Sequence, residues 1–190
     1  SVDAVEAFLT DLADRSLPSA REDLATLKAF AEDALGIPDP QAWDLTYASE
    51  KLRQAHYSLS QEELRPYFPA PKVLQGLFKI IERLYGVTVH EVQGIETWHP
   101  DARYFEIRDA EGVRGAFFLD LFARPKKRGG AWMDECSTRR RLGDHLQLPV
   151  AYLTCNFTPP VGDQPALLRH DEVETLFHEF GHGLQHMLTR

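Results

Sequence analysis

The first 86 residues carry the pattern of amphipathic helices. Apolar residues recur at steps of three and four along residues 5–12 and again along residues 24–35, which is the spacing of one helix face. Pro18 stands between these stripes, and because proline lacks a backbone donor we expect it to end the first helix. Gly36 then has the position of a left-handed helix cap. Three further helical segments are predicted: about 41–57, a short turn that starts at Ser60, and about 73–84.

The pattern changes after Gly86. Residues 87–92 and 103–108 alternate and are rich in β-branched and aromatic side chains, which is typical of strands. A turn at 110–112 separates the second of these from a long apolar run at 114–122, and this order predicts a β-hairpin. A fourth strand is predicted over 149–155, and a last helix begins near Asp171, where Asp171 and Glu174 have the spacing of a capping box.

These elements predict an α+β fold in two parts. Residues 1–86 form a helical subdomain, and residues 87–190 form a small, mostly antiparallel sheet followed by one helix. Segregation of helices and strands along a chain is the usual sign of the α+β class. We therefore expect a boundary between two subdomains near residue 86.

Composition narrows the class of protein. Apolar residues make up 43% and charged residues 26% of the chain, as in ordinary globular proteins and unlike collagen or disordered chains. The net charge of −8 disfavours a nucleic acid as partner, and the absence of an apolar run of about 18 residues predicts no membrane span. Cys136 and Cys155 cannot form a disulfide framework. Reduced thiols and the lack of a signal-peptide pattern predict a cytoplasmic location.

The last predicted helix contains the motif H-E-x-x-H at residues 178–182. His178 and His182 lie one turn apart on the same helix face, so their imidazoles can bind a single zinc ion. Glu179 is adjacent, and a carboxylate there can act as general base toward a zinc-activated water without binding the metal. The alternative is a core helix with two buried histidines, which would leave the carboxylate of Glu179 without a partner.

A catalytic zinc site usually has three protein ligands, and the motif supplies two. Glu174 and His186 continue the same helical stripe, but each lies eight residues from the histidine at the far end of the motif, about 12 Å along a helix. We therefore interpret Glu174 as a helix cap and His186 as a group outside the ligand set. The third ligand then comes from upstream, for instance Asp134 or Glu135, or from outside these residues.

Residues 169–184, which include this motif, resemble the thimet oligopeptidase family of zinc metallopeptidases, in particular its bacterial oligopeptidase A branch. The resemblance extends over nearly all of the chain, through the segments 43–44, 66–69, 104–106, 118–124, 127–133 and 156–160. It implies a cytosolic zinc endopeptidase that cleaves short peptides, with a zincin-like active-site helix and one zinc ion in the complete site.

The resemblance also assigns roles to particular residues. His178 and His182 would be zinc ligands and Glu179 the catalytic base. Gly130 and Ala131 would belong to an edge segment that contacts the bound peptide, the alternative being a plain glycine turn.

The family's third zinc ligand is a glutamate on a later helix. The resemblance therefore implies that this chain is an internal part of a longer catalytic domain and is inactive alone, with apolar side chains such as Phe177 and Phe180 exposed. Two alternatives stay open: a peptidyl carboxydipeptidase of the same family, and a non-catalytic interaction module that has kept the motif.

Overall fold

The computed structural model describes residues 1–57 and 61–189. Its contacts separate two compact units, which divide between residues 60 and 61. The first unit contains two helices that pack against each other, α1 (Val2–Leu35) and α2 (Ala42–Tyr57). The predicted start of a helical turn at Ser60 lies outside the described residues.

Helix α1 runs without interruption through Pro18, so the prediction that this proline ends the first helix is wrong. A proline removes one backbone donor and crowds one preceding carbonyl, whereas the turns on both sides of Pro18 keep their hydrogen bonds. The predicted end at Gly36 is confirmed: Gly36 has a φ of 68°, and the N–H of Ile37 donates to the carbonyl of Ala31 at 2.9 Å. This bond lies at the end of the helix, where the last backbone carbonyls lack an intrahelical partner.

Within residues 61–189, the second unit contains three helices, a 3₁₀ turn and seven strands. Its helical elements are α3 (Gln61–Leu64), the 3₁₀ turn Arg65–Tyr67, α4 (Ala70–Tyr85) and α5 (His170–Leu188). Its strands are β1 (Thr88–Glu91), β2 (Arg103–Asp109), β3 (Gly112–Phe122), β4 (Trp132–Ser137), β5 (Arg140–Leu142), β6 (His145–Gln147) and β7 (Val150–Phe157).

Five strands form one sheet in the order β1-β2-β3-β7-β4, and β5 pairs with β6 in a separate ribbon. The predicted hairpin is confirmed as the antiparallel pair β2–β3. The pairs β1–β2 and β4–β7 are also antiparallel, and only β3–β7 is parallel within the described sheet. The α+β class and the mostly antiparallel sheet are therefore confirmed.

Helices α4 and α5 cover one face of this sheet. Leu77 of α4, Phe117 of β3 and Phe180 of α5 belong to one buried cluster, and the ring of Phe180 meets that of Phe117 edge to face at 5.2 Å. Helix α5 packs mainly on β7, β4 and β3, which places the H-E-x-x-H motif over the strands next to the β4 edge.

The chain changes from helix to strand at Gly86, which has a φ of 67°. Helix α4, on the N-terminal side of this glycine, shares its core with the sheet that follows. The predicted division into residues 1–86 and 87–190 stays a prediction. In the described part of the chain, no helix is long and apolar enough to cross a membrane.

Candidate metal centre

Helix α5 begins at His170, and its first turn is capped by a residue upstream of the predicted cap. The backbone N–H of Arg169 donates to Oε2 of Glu172 at 2.8 Å, which is one half of a capping box. The predicted box of Asp171 and Glu174 is therefore wrong. The helix starts one residue before Asp171, so the side chain three residues past the cap is that of Glu172.

The two histidines of the motif point at each other's Nε2 atoms. The Nε2 of His178 lies 3.1 Å from the Nε2 of His182, and the two rings stand at 88° to one another. Both side chains are exposed. Two imidazole nitrogens that bind one tetrahedral zinc at 2.0–2.1 Å would lie about 3.3 Å apart, so the separation of this pair matches that of two ligands of one metal ion.

Glu179 is half-buried beside this pair and close to a buried thiol. Burial, and to a smaller extent the negative charge of Glu179, raise the pKa of Cys155 to about 12. Cys155 is fully buried in β7 and therefore keeps its proton at neutral pH. It serves as an apolar support under the helix rather than as a thiolate ligand.

No group of three His, Cys, Asp or Glu side chains that can hold a metal occurs among residues 1–57 and 61–189. The upstream candidates have other contacts: Asp134 accepts the N–H of Glu135 at 2.8 Å, and Oε1 of Glu135 lies 3.4 Å from Nδ1 of His186. The described residues thus bring together two candidate ligands, His178 and His182. No observation supports Asp134 or Glu135 as a third ligand.

His186 joins the helix to the edge strand. Its Nε2 lies 2.9 Å from the carbonyl oxygen of Ser137 in β4, and its side chain is 8% exposed. Both ring nitrogens therefore contact β4, which agrees with the interpretation that His186 stands outside the ligand set.

The two glycines of the motif region differ in their surroundings. A Cβ at Gly183 would meet Cδ2 of Leu153 at 3.1 Å, whereas a Cβ at Gly181 would meet no atom within 4 Å. Gly183 therefore allows α5 to approach β7 closely, and Gly181 leaves open space beside the histidine pair. Phe180 is only 1% exposed, so the prediction that it lies on the surface is wrong. The sheet that covers it is part of this chain.

The segment of Gly129, Gly130 and Ala131 leads directly into β4. Gly130 has a φ of +91°, and an added Cβ at Gly129 or Gly130 would meet no atom within 4 Å. Strand β4 pairs with β7 along one side, and no described strand pairs with its other side. The segment thus has an open approach, a backbone conformation that favours glycine and a neighbouring free strand edge.

An ionic cluster on β3 was not predicted from the sequence. The carboxylate of Asp120, which is 2% exposed, accepts hydrogen bonds from Arg124, Lys127 and Trp98. Burial by itself would raise the pKa of Asp120, but these three hydrogen bonds outweigh it and hold that pKa well below its usual range. The available signal was a single acid inside the apolar run of residues 116–122, since a buried acid requires partners.

Two histidines one helical turn apart, with a glutamate beside the first and a sheet beneath the helix, define the arrangement of H-E-x-x-H metallohydrolases. The chain belongs to Peptidase family M3, whose sequence profile matches residues 1–190. This membership confirms the predicted family.

Three relatives illustrate the similarity. Oligopeptidase A of Escherichia coli is 56% identical over 96% of this chain, and the organellar oligopeptidase A of Arabidopsis thaliana is 44% identical over 100% of it. A dipeptidyl carboxypeptidase of Salmonella typhimurium is 46% identical over 88% of the chain. The chain spans only 25–27% of the length of these relatives.

Proposed function

We propose that this chain is part of a zinc-dependent oligopeptidase that hydrolyses short peptides in the cytoplasm. The observation that carries the proposal is the 3.1 Å separation of the Nε2 atoms of His178 and His182 in a chain of Peptidase family M3. The 56% identity to an oligopeptidase A supports peptides as the substrate class.

In this proposal His178 and His182 hold the zinc ion through their Nε2 atoms. A glutamate outside residues 1–190 completes the ligand set, in keeping with the two-ligand site of the described residues. Bound zinc would supply Lewis acidity, which polarises the scissile carbonyl and lowers the pKa of water. Residues 1–190 alone would then be inactive, and their main partner would be the remainder of the catalytic domain.

Glu179 acts as the general base. Its carboxylate takes a proton from the water that attacks the scissile carbonyl carbon, and it returns that proton to the amine nitrogen as the C–N bond breaks. Its position next to His178 in sequence supports this role, because in the H-E-x-x-H pattern the glutamate acts as base without binding the metal.

Gly130 and Ala131 bind the backbone of the substrate. An extended peptide that lies beside this segment continues along the unpaired side of β4, where main-chain groups can pair with it as an added strand. The lack of side chains at Gly129 and Gly130, with open space at both, supports a close approach of the peptide.

A peptidyl carboxydipeptidase is the second candidate, favoured by the 46% identity to a dipeptidyl carboxypeptidase. The test is incubation of the full-length protein with peptides whose C-termini are free or amidated, followed by mass analysis of products. An oligopeptidase cuts internal bonds in both, whereas a carboxydipeptidase releases C-terminal dipeptides and fails on amidated substrates. Metal-independent cleavage would overturn the zinc-dependent mechanism. No cleavage by the zinc-loaded protein would overturn the proposal and leave a non-catalytic interaction module.

A further inference from the structure

The connection between β3 and β4 is held by side chains of two neighbouring strands. It runs over residues 123–131 and ends in the segment Gly129–Ala131. Strands β3 and β7 are adjacent and parallel, so their C-terminal ends lie together at the edge of the sheet where this connection passes. Each strand contributes one polar anchor, Asp120 from β3 and Asn156 from β7.

The first anchor fixes the beginning of the connection. Lys127 donates from Nζ to Oδ1 of Asp120 and to the carbonyl oxygen of Phe122, both at 2.8 Å. The side chain of Lys127 is only 5% exposed. The connection is therefore folded back onto the end of β3, with the charge of Lys127 neutralised by Asp120.

The second anchor fixes the end of the connection. The carboxamide nitrogen Nδ2 of Asn156 donates to the carbonyl oxygens of Arg128 at 2.7 Å and of Gly130 at 2.6 Å. A carboxamide nitrogen carries two hydrogens, and here each one has its own acceptor. The two carbonyls on either side of Gly129 are thereby turned toward β7.

The side chain of Asn156 thus fixes the backbone of a turn that contains two consecutive glycines. Glycine adopts many conformations in the absence of constraints, and Gly130 has a positive φ of +91°. Within the described residues, Asn156 is the side chain that donates hydrogen bonds to this turn. A peptide that binds by main-chain hydrogen bonds requires these backbone groups to be fixed in advance.

We infer that Asn156 is a positioning residue for substrate binding. By holding the carbonyls of Arg128 and Gly130, it sets the direction of the Gly129–Ala131 backbone along which the peptide lies. The inference rests on the proposed function, because it requires a peptide substrate at this segment. It adds a residue that acts on the substrate through the backbone it holds.

The test uses Asn156→Asp in the full-length, zinc-loaded protein. The substitution keeps the shape of the side chain but replaces the NH₂ donor by a carboxylate oxygen. The matched control is Gln147→Glu, because Nε2 of Gln147 donates to the carbonyl of Thr138 at 2.8 Å in the β5–β6 ribbon. Both variants make the same chemical change and add the same charge.

We expect Asn156→Asp to raise KM for short peptides about tenfold or more with bound zinc unchanged, because misaligned main-chain hydrogen bonds weaken the binding of the peptide. Gln147→Glu keeps the wild-type KM. A peptide series with a single N-methyl group at successive positions adds a readout that loss of stability would not move. In the wild type, N-methylation at one peptide position should raise KM. This increase in KM should be smaller in Asn156→Asp, because the two changes are coupled.

An unchanged KM and an unchanged effect of N-methylation in Asn156→Asp would overturn the inference while the wild type still cleaves peptides. A wild type without Glu179-dependent cleavage would overturn the proposed function and this inference with it. If Asn156→Asp does not fold, Asn156→Ser decides in its place. It keeps a single, shorter donor, and it must raise KM in the same direction for the inference to stand.

Discussion

His178 and His182 bring their Nε2 atoms within 3.1 Å of each other on consecutive turns of α5. The helix supplies the spacing, and the close approach of Gly183 to Leu153 fixes that helix on the sheet. The donor pair is therefore built by the described chain itself.

Substitutions of three histidines of α5 should differ in their effect on bound zinc. We expect His178→Ala and His182→Ala to remove zinc from the full-length protein, because each deletes a ligand nitrogen. His186→Ala should keep one zinc per molecule, since the ring nitrogens of His186 contact β4. Metal analysis after dialysis measures this, with circular dichroism as the check on folding. Zinc loss in a folded His186→Ala would show that the ligand set is drawn wrongly.

Asp120→Asn should destabilise the fold by about 3–5 kcal/mol, because it leaves the buried cation of Lys127 without its counter-charge. The pKa of Asp120 is depressed in the folded state. The stability from this group is therefore present above its unfolded pKa of about 3.9 and is lost as the pH falls further. Urea unfolding between pH 3 and 7 measures both effects. A variant with wild-type stability at pH 7 would contradict the role of the cluster.

The two cysteines should differ in reactivity. Cys136 is exposed and Cys155 is buried, and burial raises the pKa of Cys155 to about 12. At neutral pH a thiol reagent should label Cys136 in the folded protein and reach Cys155 only after unfolding. The stability that Cys155 contributes is complete below its unfolded pKa of about 8.5 and is lost as the pH rises toward 12. Equal labelling rates in the folded protein would contradict this placement.

Residues 1–190 expressed alone should bind zinc weakly and show no peptidase turnover. The described residues offer two imidazoles and no third ligand in reach, and two ligands hold zinc less firmly than three. Dialysis against buffer followed by metal analysis measures the affinity. One tightly held zinc with measurable peptide cleavage would show that the site is complete within these residues.

The sequence predicted the elements whose signal is local. The H-E-x-x-H helix, the β2–β3 hairpin and the cap at Gly36 each depend on spacing or on one residue's conformation. Strand β4 was missed because it is an edge strand with a bulge at Cys136 and carries consecutive exposed polar residues. It forms a strand because it pairs with β7, from which 12 residues of the chain separate it.

The contacts of Asn156 with the β3–β4 connection were missed for a related reason. Asn156 bonds to residues 26 and 28 positions away, and no local pattern encodes such a contact. The prediction at Pro18 was wrong because the hydrogen bonds of the long helix around this residue outweighed its low helix propensity. Local signals therefore located the H-E-x-x-H motif, whereas the contacts of Asn156 became visible only in the tertiary structure.

The most direct test of the account compares two glutamates of α5 in the full-length protein. Glu179→Gln removes the proposed base, and Glu174→Gln makes the same change at an exposed position on the same helix. We expect both variants to keep one zinc, Glu174→Gln to keep wild-type kcat, and Glu179→Gln to lose at least about a hundredfold in kcat, since general-base catalysis contributes 10²–10⁴. A Glu179→Gln protein with normal kcat would contradict the central claim.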